Sequence, residues 1–228
     1  MVARLTPEQL AALRAIDSPT IANAIEAFKV RDRTEGYASL ELRCLFPELG
    51  VMVGYAVTAT ADSTTPGPPK GRAGLMKLWE AVAAAPKPAV IVIQDVGPDR
   101  LRSCHCGDVM ANTARRLGAV GLVTDGGVRD LAEVRALGFH FFAAGAVVSH
   151  GTFGIIDVNV PVTICGLRIQ PGDLLHGDMN GLVLIPEEVA AEVAAEAQRV
   201  RERESQIVQY VNGPEFSLEG LRRLYGLA

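Results

Sequence analysis

Residues 106–133, CGDVMANTARRLGAVGLVTDGGVRDLAE, decide how this chain folds. A helix enters through Gly107-Asp108, with Val109, Met110, Thr113, Ala114 and Leu117 spaced as one apolar face. Gly118 closes it. AVGLVTD then forms a short apolar run bounded by glycine, the pattern of a fully buried strand. At its end Asp125-Gly126-Gly127 lets the backbone turn sharply or approach a ligand closely. Arg129-Asp130 opens a second helix, and Glu133 follows three residues later.

Outward from that stretch the same grammar repeats. Upstream, Ala89-Val90-Ile91-Val92-Ile93 is a continuous apolar run, which predicts a central strand covered on both faces. It delivers Gln94-Asp95 at its carboxyl end. Before it, Leu75, Leu78, Trp79 and Val82 mark a helix ended by Pro86-Lys87-Pro88, and VMVGYAVTATAD from Val51 is a β-rich strand. The intervening STTPGPPKGRAG holds too much proline and glycine for regular structure. It reads first as a surface connection, although Lys70 and Arg72 are able to meet an acidic substrate there.

Downstream of Glu133, Val134 and Leu137 carry the helix to Gly138, and FHFFAAG is another short strand. The order strand, helix, strand, helix, strand predicts a three-layer α/β core. No G-x-G-x-x-G follows a strand, so dinucleotide and methyl-donor Rossmann readings lose their main support. From Ala146 to Gly181, short β segments (VVSHG, VNVPVTIC, LRIQPGDLLHGD) between turn residues predict a small β layer. His150, His176 and Asp178 there read as satisfied polar residues in turns rather than metal ligands. Leu182 to Ile185 is a last buried strand.

The ends are helical. Thr6-Pro7-Glu8-Gln9 is a capping box with proline in the first turn, and Ser18-Pro19 restarts a helix in the same manner, giving two helices over about 6–29. Residues 30–50 show no firm period and predict a loop turning at Pro47. Pro186-Glu187-Glu188 opens a long helix over about 186–212. Its apolar positions are Val189, Val193, Ala197, Val200, Ile207 and Val211, opposite a solvated or subunit-contacting RVRERES face. Residues 1–228 are thus expected to form one domain elaborated at its ends.

Composition narrows the function. A chain 49% hydrophobic and 21% charged is ordinary for a globular protein. A net charge of -4 and a pI of about 5.6 offer no basic footprint for nucleic acid. No run reaches membrane-span length and the amino terminus has no apolar signal core, so a soluble, cytoplasmic protein is expected. Four cysteines read as reduced thiols. Cys104-His105-Cys106 sets three potential zinc ligands in a row, but adjacent ligands rarely close one tetrahedral site. A loop thiol beside the site helix, open to oxidation, is the preferred reading.

The opening stretch concentrates what an oxyacid and a metal need. Amides in the first turn of a helix, near Gly107, Asp108, Val109 and Met110, can hold a carboxylate. Arg129 offers a rigid fork for a carboxylate or enolate oxygen. Asp130 is a hard oxygen ligand of the kind magnesium or manganese takes, and Asp108 and Glu133 can orient its waters.

With Asp108, twenty intervening residues and Arg129-Asp130, set in GDVMA and VTDGGVRD, the chain resembles the class II pyruvate aldolases. These are the 4-hydroxy-4-methyl-2-oxoglutarate / 4-carboxy-4-hydroxy-2-oxoadipate aldolases, homologous to the regulators of ribonuclease E activity. The likeness runs from Ser18-Pro19-Thr20 to Gly181-Leu182-Val183. It implies a three-layer swivelling β/β/α (phosphohistidine-domain-like) fold with mixed β layers, in trimers or hexamers with interfacial active sites. It further implies Asp130 as the ligand of a divalent metal, Mg²⁺ or Mn²⁺, and Arg129 as the binder of the pyruvyl oxygen and enolate. Asp108 would hold metal-bound water, and the amides of Gly107 to Met110 the pyruvate carboxylate. Glu133 matches an acidic residue of the aldolase branch that proteins known only as regulators tend to lack. A late acid from a neighbouring subunit, Glu202 or Glu204, would complete the site. The activity so implied is retro-aldol cleavage of a 4-hydroxy-2-oxo acid to pyruvate and a second oxo acid, with oxaloacetate decarboxylation beside it. A lysine Schiff base is disfavoured, since Lys29, Lys70, Lys77 and Lys87 all lie outside the constellation. A protein-binding regulator of a ribonuclease, or another metal-dependent reaction of 2-oxo acids, stands as the alternative.

Overall fold

The computed structural model describes residues 4–227. Thr6 caps α1 (Pro7–Arg14) through the reciprocal bonds expected of the box: its hydroxyl accepts from the Gln9 amide, and Gln9 Oε1 accepts from the Thr6 amide. Asp17, one residue before the serine, caps α2 (Ser18–Phe28) by accepting from the Thr20 amide. The 30–50 loop contains β1 (Arg43–Cys44) and a tight turn at Pro47–Leu49. The alternating part of the chain follows: β2 (Met52–Asp62), α3 (Ala73–Ala84), β3 (Ala89–Asp95), α4 (Asp108–Arg116), β4 (Ala119–Thr124), β5 (Gly127–Val128), α5 (Leu131–Leu137), β6 (His140–Ala143) and β7 (Gly145–Ala146). Five short strands close it: β8 (Gly154–Val158), β9 (Val162–Ile164), β10 (Leu167–Ile169), β11 (Leu174–Asp178) and β12 (Gly181–Ile185). Two helices end it, α6 (Val193–Asn212) and α7 (Leu218–Leu224).

One mixed sheet of order β1-β6-β4-β3-β2-β11-β12 organises the molecule. β2, β3, β4 and β6 run parallel, as helical crossovers require. The free edge of β2 is shared, its first half pairing with β11 and its second half with β8, both antiparallel. This differs from the expectation for residues 146–181. Only the β9–β10 hairpin forms the separate small layer, whereas β8 and β11 join the main sheet and VVSHG lies outside any strand beyond Ala146. Apolar alternation shows that a segment is a strand, but not which sheet receives it.

The pleat of β2 sorts the core. Val57, Ala59 and Ala61 face α3, α4 and α5, while Val53 and Tyr55, farther back on the same face, meet α1, α2 and α6. Met52 and Ala56 point the other way, to the β9–β10 hairpin. That hairpin would be marginal alone. It is held because Val162, Ile164, Leu167 and Ile169 are all buried, each contributing about 2 kcal/mol on transfer from water. Helices, sheet and hairpin make the three β/β/α layers.

Two helix readings need correction. In α4 the buried residues are Ala111 and Ala114, with Met110 and Leu117 beside them, while Val109 is 72% exposed. At 100° per residue the face centred on Ala111 and Ala114 turns Val109 outward. The last long helix begins at Val193, not near 186. Glu187–Val189 instead form a tight i→i+3 turn that tucks Val189 and Ala190 into the core. Beyond Val200, α6 leaves the core, and Val208 and Val211 are exposed. No helix among the described residues is long and apolar enough to cross a membrane.

Candidate functional site

The site is assembled by a short parallel pairing between two segments that lack a side-chain motif for it. Gly127 N donates to Ser103 O, His105 N to Gly127 O and Arg129 N to Cys106 O. Residues 103–106 therefore lie alongside 127–129, with Cys104 and Gly127 as bridge partners. Cys104 N donates to Ser63 Oγ at the end of β2, which fixes the other side. The twenty residues between Asp108 and Arg129 are α4, β4 and the turn that brings the chain back. Gly126 and Gly127 serve this pairing. A Cβ on Gly126 would stand 2.2 Å from Ser103 Oγ, and one on Gly127 would stand 2.7 Å from Ser103 O. The space these glycines leave is filled by chain 103–105, not by a ligand.

The amino terminus of α4 thus meets Arg129-Asp130. Asp108 N donates to Asp130 Oδ2 at 3.0 Å, and Arg129 Nε lies 3.4 Å from the same oxygen. Gly107 is needed here, since a Cβ on it would come within 2.4 Å of Asp130 Oδ2. Asp130 holds a left-handed backbone, φ 56° and ψ 45°, as the residue before α5. Such strain in a non-glycine residue persists only where its surroundings fix it. Of the first-turn amides, Asp108 N is engaged by Asp130 and Val109 N by Asp108 Oδ1 at 2.7 Å. Met110 N has no protein acceptor among the described residues. Glu133 is exposed on the first turn of α5.

A cleft of about 390 Å³ opens over this group. Cys104 to Met110 and Arg129 line one part, and Pro69 to Arg72, Leu75, His150, Phe153 and Gly154 line the rest. The proline-rich connection is therefore a cleft wall rather than a plain surface loop. Asp108 is the one acidic side chain among the lining residues, beside Lys70, Arg72 and Arg129.

Beneath the cleft lies a buried pair that the sequence did not single out. His105 Nε2 is 2.9 Å from Asp95 Oδ2, with both side chains fully inaccessible, although the approach is not that of a good hydrogen bond. Asp125 Oδ1 accepts from Asp95 N at 2.8 Å. Burial pushes the Asp125 carboxyl up, opposed by the Asp95 amide, His105 and Arg100. Asp95 and Asp125 end neighbouring parallel strands, and the carboxyl ends of such strands are where α/β sheets place ligands. That rule was the available signal.

The other candidates separate. His176 and Asp178 sit on β11 and hold α2 in place: Ser18 Oγ is 2.9 Å from His176 Nδ1, and Ser18 N donates to Asp178 Oδ2. Cys104 and Cys106 are 2% and 3% exposed, and burial pushes both thiols up. Both cysteines line the cleft, and their burial weighs against the expected oxidisable loop thiol, because a buried thiol disfavours the reactive thiolate. Glu202 and Glu204 lie on α6, which packs with α1 and α2 at the other end of the sheet from α4 and α5. They accept from Gln198 and Asn23, respectively. Among the described residues no three His, Cys, Asp or Glu side chains gather as a metal cage.

Comparison with known proteins decides the family. A family model described as RraA-like, Aldolase/RraA, matches residues 18–184. The chain belongs to the RraA-like family. The match holds the whole Gly107–Asp130 group and leaves α1, α6 and α7 outside. A Halalkalibacterium halodurans protein named "Putative 4-hydroxy-4-methyl-2-oxoglutarate aldolase" is 34% identical over 113 residues, 49% of this chain and 53% of that protein. A Stutzerimonas stutzeri protein of the same name is 39% identical over 95 residues, 40% of this chain and 57% of that protein. The chain thus spans little more than half the length of these relatives. Among solved structures, an uncharacterized protein from Pseudomonas syringae pv. tomato matches with a TM-score of 0.75 at 24% identity, over 99% of this chain and 97% of that one. Streptomyces coelicolor RraAS2, described as an unusual member of the RNase ES inhibitor RraA protein family, matches with a TM-score of 0.70 at 24% identity, over 89% and 96%. At that identity the likeness establishes the RraA fold.

Proposed function

We propose that this RraA-like protein is a divalent-metal-dependent aldolase that cleaves a 4-hydroxy-2-oxo dicarboxylic or tricarboxylic acid to pyruvate and a second 2-oxo acid. Oxaloacetate decarboxylation is proposed as its side activity. The observation that carries the reading is the meeting of the α4 amino terminus with the Arg129-Asp130 pair, beside a cleft that Asp108, Met110 and Arg129 line. The names of the relatives that match at 34% and 39% identity support it.

The donor set fits a hydrated hard cation. Asp130 Oδ1 has no protein partner among the described residues, and Gly107 lets the Asp130 carboxylate lie against the α4 amino terminus, where a Cβ would clash with its Oδ2. Mg²⁺ takes one or two carboxylates and keeps its waters, which suits a site without a cage; Mn²⁺ is the second choice. Bound on Asp130, the cation supplies Lewis-acid charge to the 2-oxo group.

The chain's own residues do the rest. The Arg129 terminal nitrogens, free of protein acceptors among the described residues, bind the 2-oxo oxygen and stabilise the enolate charge. The Met110 amide, at the positive end of α4, holds the C1 carboxylate. Asp108 and Glu133 orient the water that takes the proton from the 4-hydroxyl group. The C3–C4 electron pair moves to C3 as the enolate forms, and a proton then returns to C3. Loss of carbon dioxide from oxaloacetate leaves the same enolate. The reading includes a trimer or hexamer, in which Glu202 or Glu204 of a neighbouring copy completes the site that α6 does not reach in its own chain.

Pyruvate release from 4-hydroxy-4-methyl-2-oxoglutarate tests this. Arg129→Ala should lower kcat a hundredfold or more, on the order of one lost oxyanion donor. Full activity in that variant defeats the site assignment. Tight ribonuclease binding without turnover would instead favour the regulator reading, which the RraAS2 likeness motivates.

A further inference from the structure

Besides Arg129, the cleft carries two cations, and their circumstances differ. Lys70 Nζ lies 3.0 Å from Asp62 Oδ2 and 3.3 Å from both Thr152 O and Thr152 Oγ1. Burial alone would raise the Asp62 carboxyl, but hydrogen bonds from Thr65, Thr64 and Lys70 outweigh it and hold the group well below the usual carboxylate range. Asp62 therefore stays charged, and the Lys70 charge is matched locally. Arg72 lines the same cleft, is exposed, and has no acidic partner among the described residues.

The backbone that carries Arg72 is nonetheless anchored. Asp62 Oδ1 accepts from the Thr64 and Thr65 amides at 2.9 and 3.0 Å, and Thr152 Oγ1 donates to Thr65 O at 2.7 Å. At the other end Arg72 caps α3, where its carbonyl accepts from Met76 N at 3.0 Å. An uncommitted guanidinium on a fixed backbone, at a cleft whose one acid is Asp108, is matched to an anion. The cleft volume of about 390 Å³ is that of a small-molecule pocket and leaves room beyond a three-carbon acid.

We infer that Arg72 forms a second anion subsite, which binds the distal carboxylate of an elongated oxo acid whose 2-oxo end lies at Arg129. The inference rests on the aldolase reading for the position of the 2-oxo end. It assigns substrate selection to the proline-rich wall, with Lys70 and Asp62 as the brace.

The test compares pyruvate with 2-oxoglutarate. They share the 2-oxo acid end and differ by the distal carboxylate. Neither has a 4-hydroxyl group or a carboxylate β to the oxo group, so neither is cleaved. Affinities are measured by titration calorimetry with Mg²⁺ for the full chain, Arg72→Ala and Arg72→Lys. Wild type should bind 2-oxoglutarate about tenfold more tightly than pyruvate, the scale of one charged hydrogen bond at a rim. Arg72→Ala should remove that preference and leave pyruvate affinity unchanged, while Arg72→Lys should keep part of it. Pyruvate binding with no preference, or a preference that survives Arg72→Ala, overturns the subsite alone. A wild type that binds neither acid overturns the subsite and the aldolase reading together.

Discussion

At Gly107 an added methyl group would press on Asp130 Oδ2 at 2.4 Å and on Arg129 Nε at 3.0 Å, so the smallest substitution tests the geometry. Gly107→Ala should fold, since φ of -136° suits any residue, yet it should lose pyruvate release about tenfold or more as the two groups shift. Normal turnover in that variant would separate the close approach from the chemistry. The buried pair makes a stability prediction. His105→Ala leaves Asp95 Oδ2 buried with nothing facing it, while Oδ1 keeps the Gly97 amide, and this should cost about 1–3 kcal/mol in urea unfolding. A loss below about 1 kcal/mol would mean that water reaches the carboxylate. Arg129 and Asp130 were legible in the sequence because they are neighbours with glycines before them. Asp95 and His105 were not, because nine residues without a strand or α-helix separate them and only the fold sets them face to face.

Among the elements, α2 shows how a cap and a charge act together. Asp17 accepts from Thr20 N and pairs with Arg201 Nη2 on α6 at 3.0 Å. Burial would raise its carboxyl, but the Thr20 and Arg201 hydrogen bonds bring it down to about 2. A depressed carboxyl adds stability above its unfolded value of 3.8 that fades as pH falls toward the folded value. With 44% of the side chain exposed, solvent screening limits the charge term to about 1 kcal/mol or less. Asp17→Ala should therefore cost about 1–2 kcal/mol at pH 7, cap included, and its deficit should shrink between pH 4 and pH 2. A deficit unchanged across that window would leave only the neutral cap. At this scale the α4–β4–α5 succession was readable from period and glycine alone. The exact face of α4 was not, because Val109 fits an apolar period but lies beyond the edge of the contact that Ala111 and Ala114 make with the sheet. The allegiance of β8 and β11 was hidden too, since pairing partners distant in sequence leave no local mark.

For the whole molecule, the order of strands and helices predicted three layers, and the RraA fold has them. Subunit contacts leave no such period, so the role proposed for α6 of a neighbour is tested by mixing. If Glu202 or Glu204 serves another copy's site, the inactive glutamate variant and inactive Asp130→Ala should recover activity when co-assembled, with a trimer or hexamer by light scattering. A monomer with full turnover would remove the shared site. The most direct measurement of the central claim is pyruvate release from 4-hydroxy-4-methyl-2-oxoglutarate and from oxaloacetate, with Mg²⁺ and again with EDTA. The account predicts release from both with Mg²⁺, its loss in EDTA, its return on adding metal back, and none above background in Asp130→Ala. Release that persists in EDTA or in Asp130→Ala, or no release from a folded, Mg²⁺-supplied protein, would contradict it.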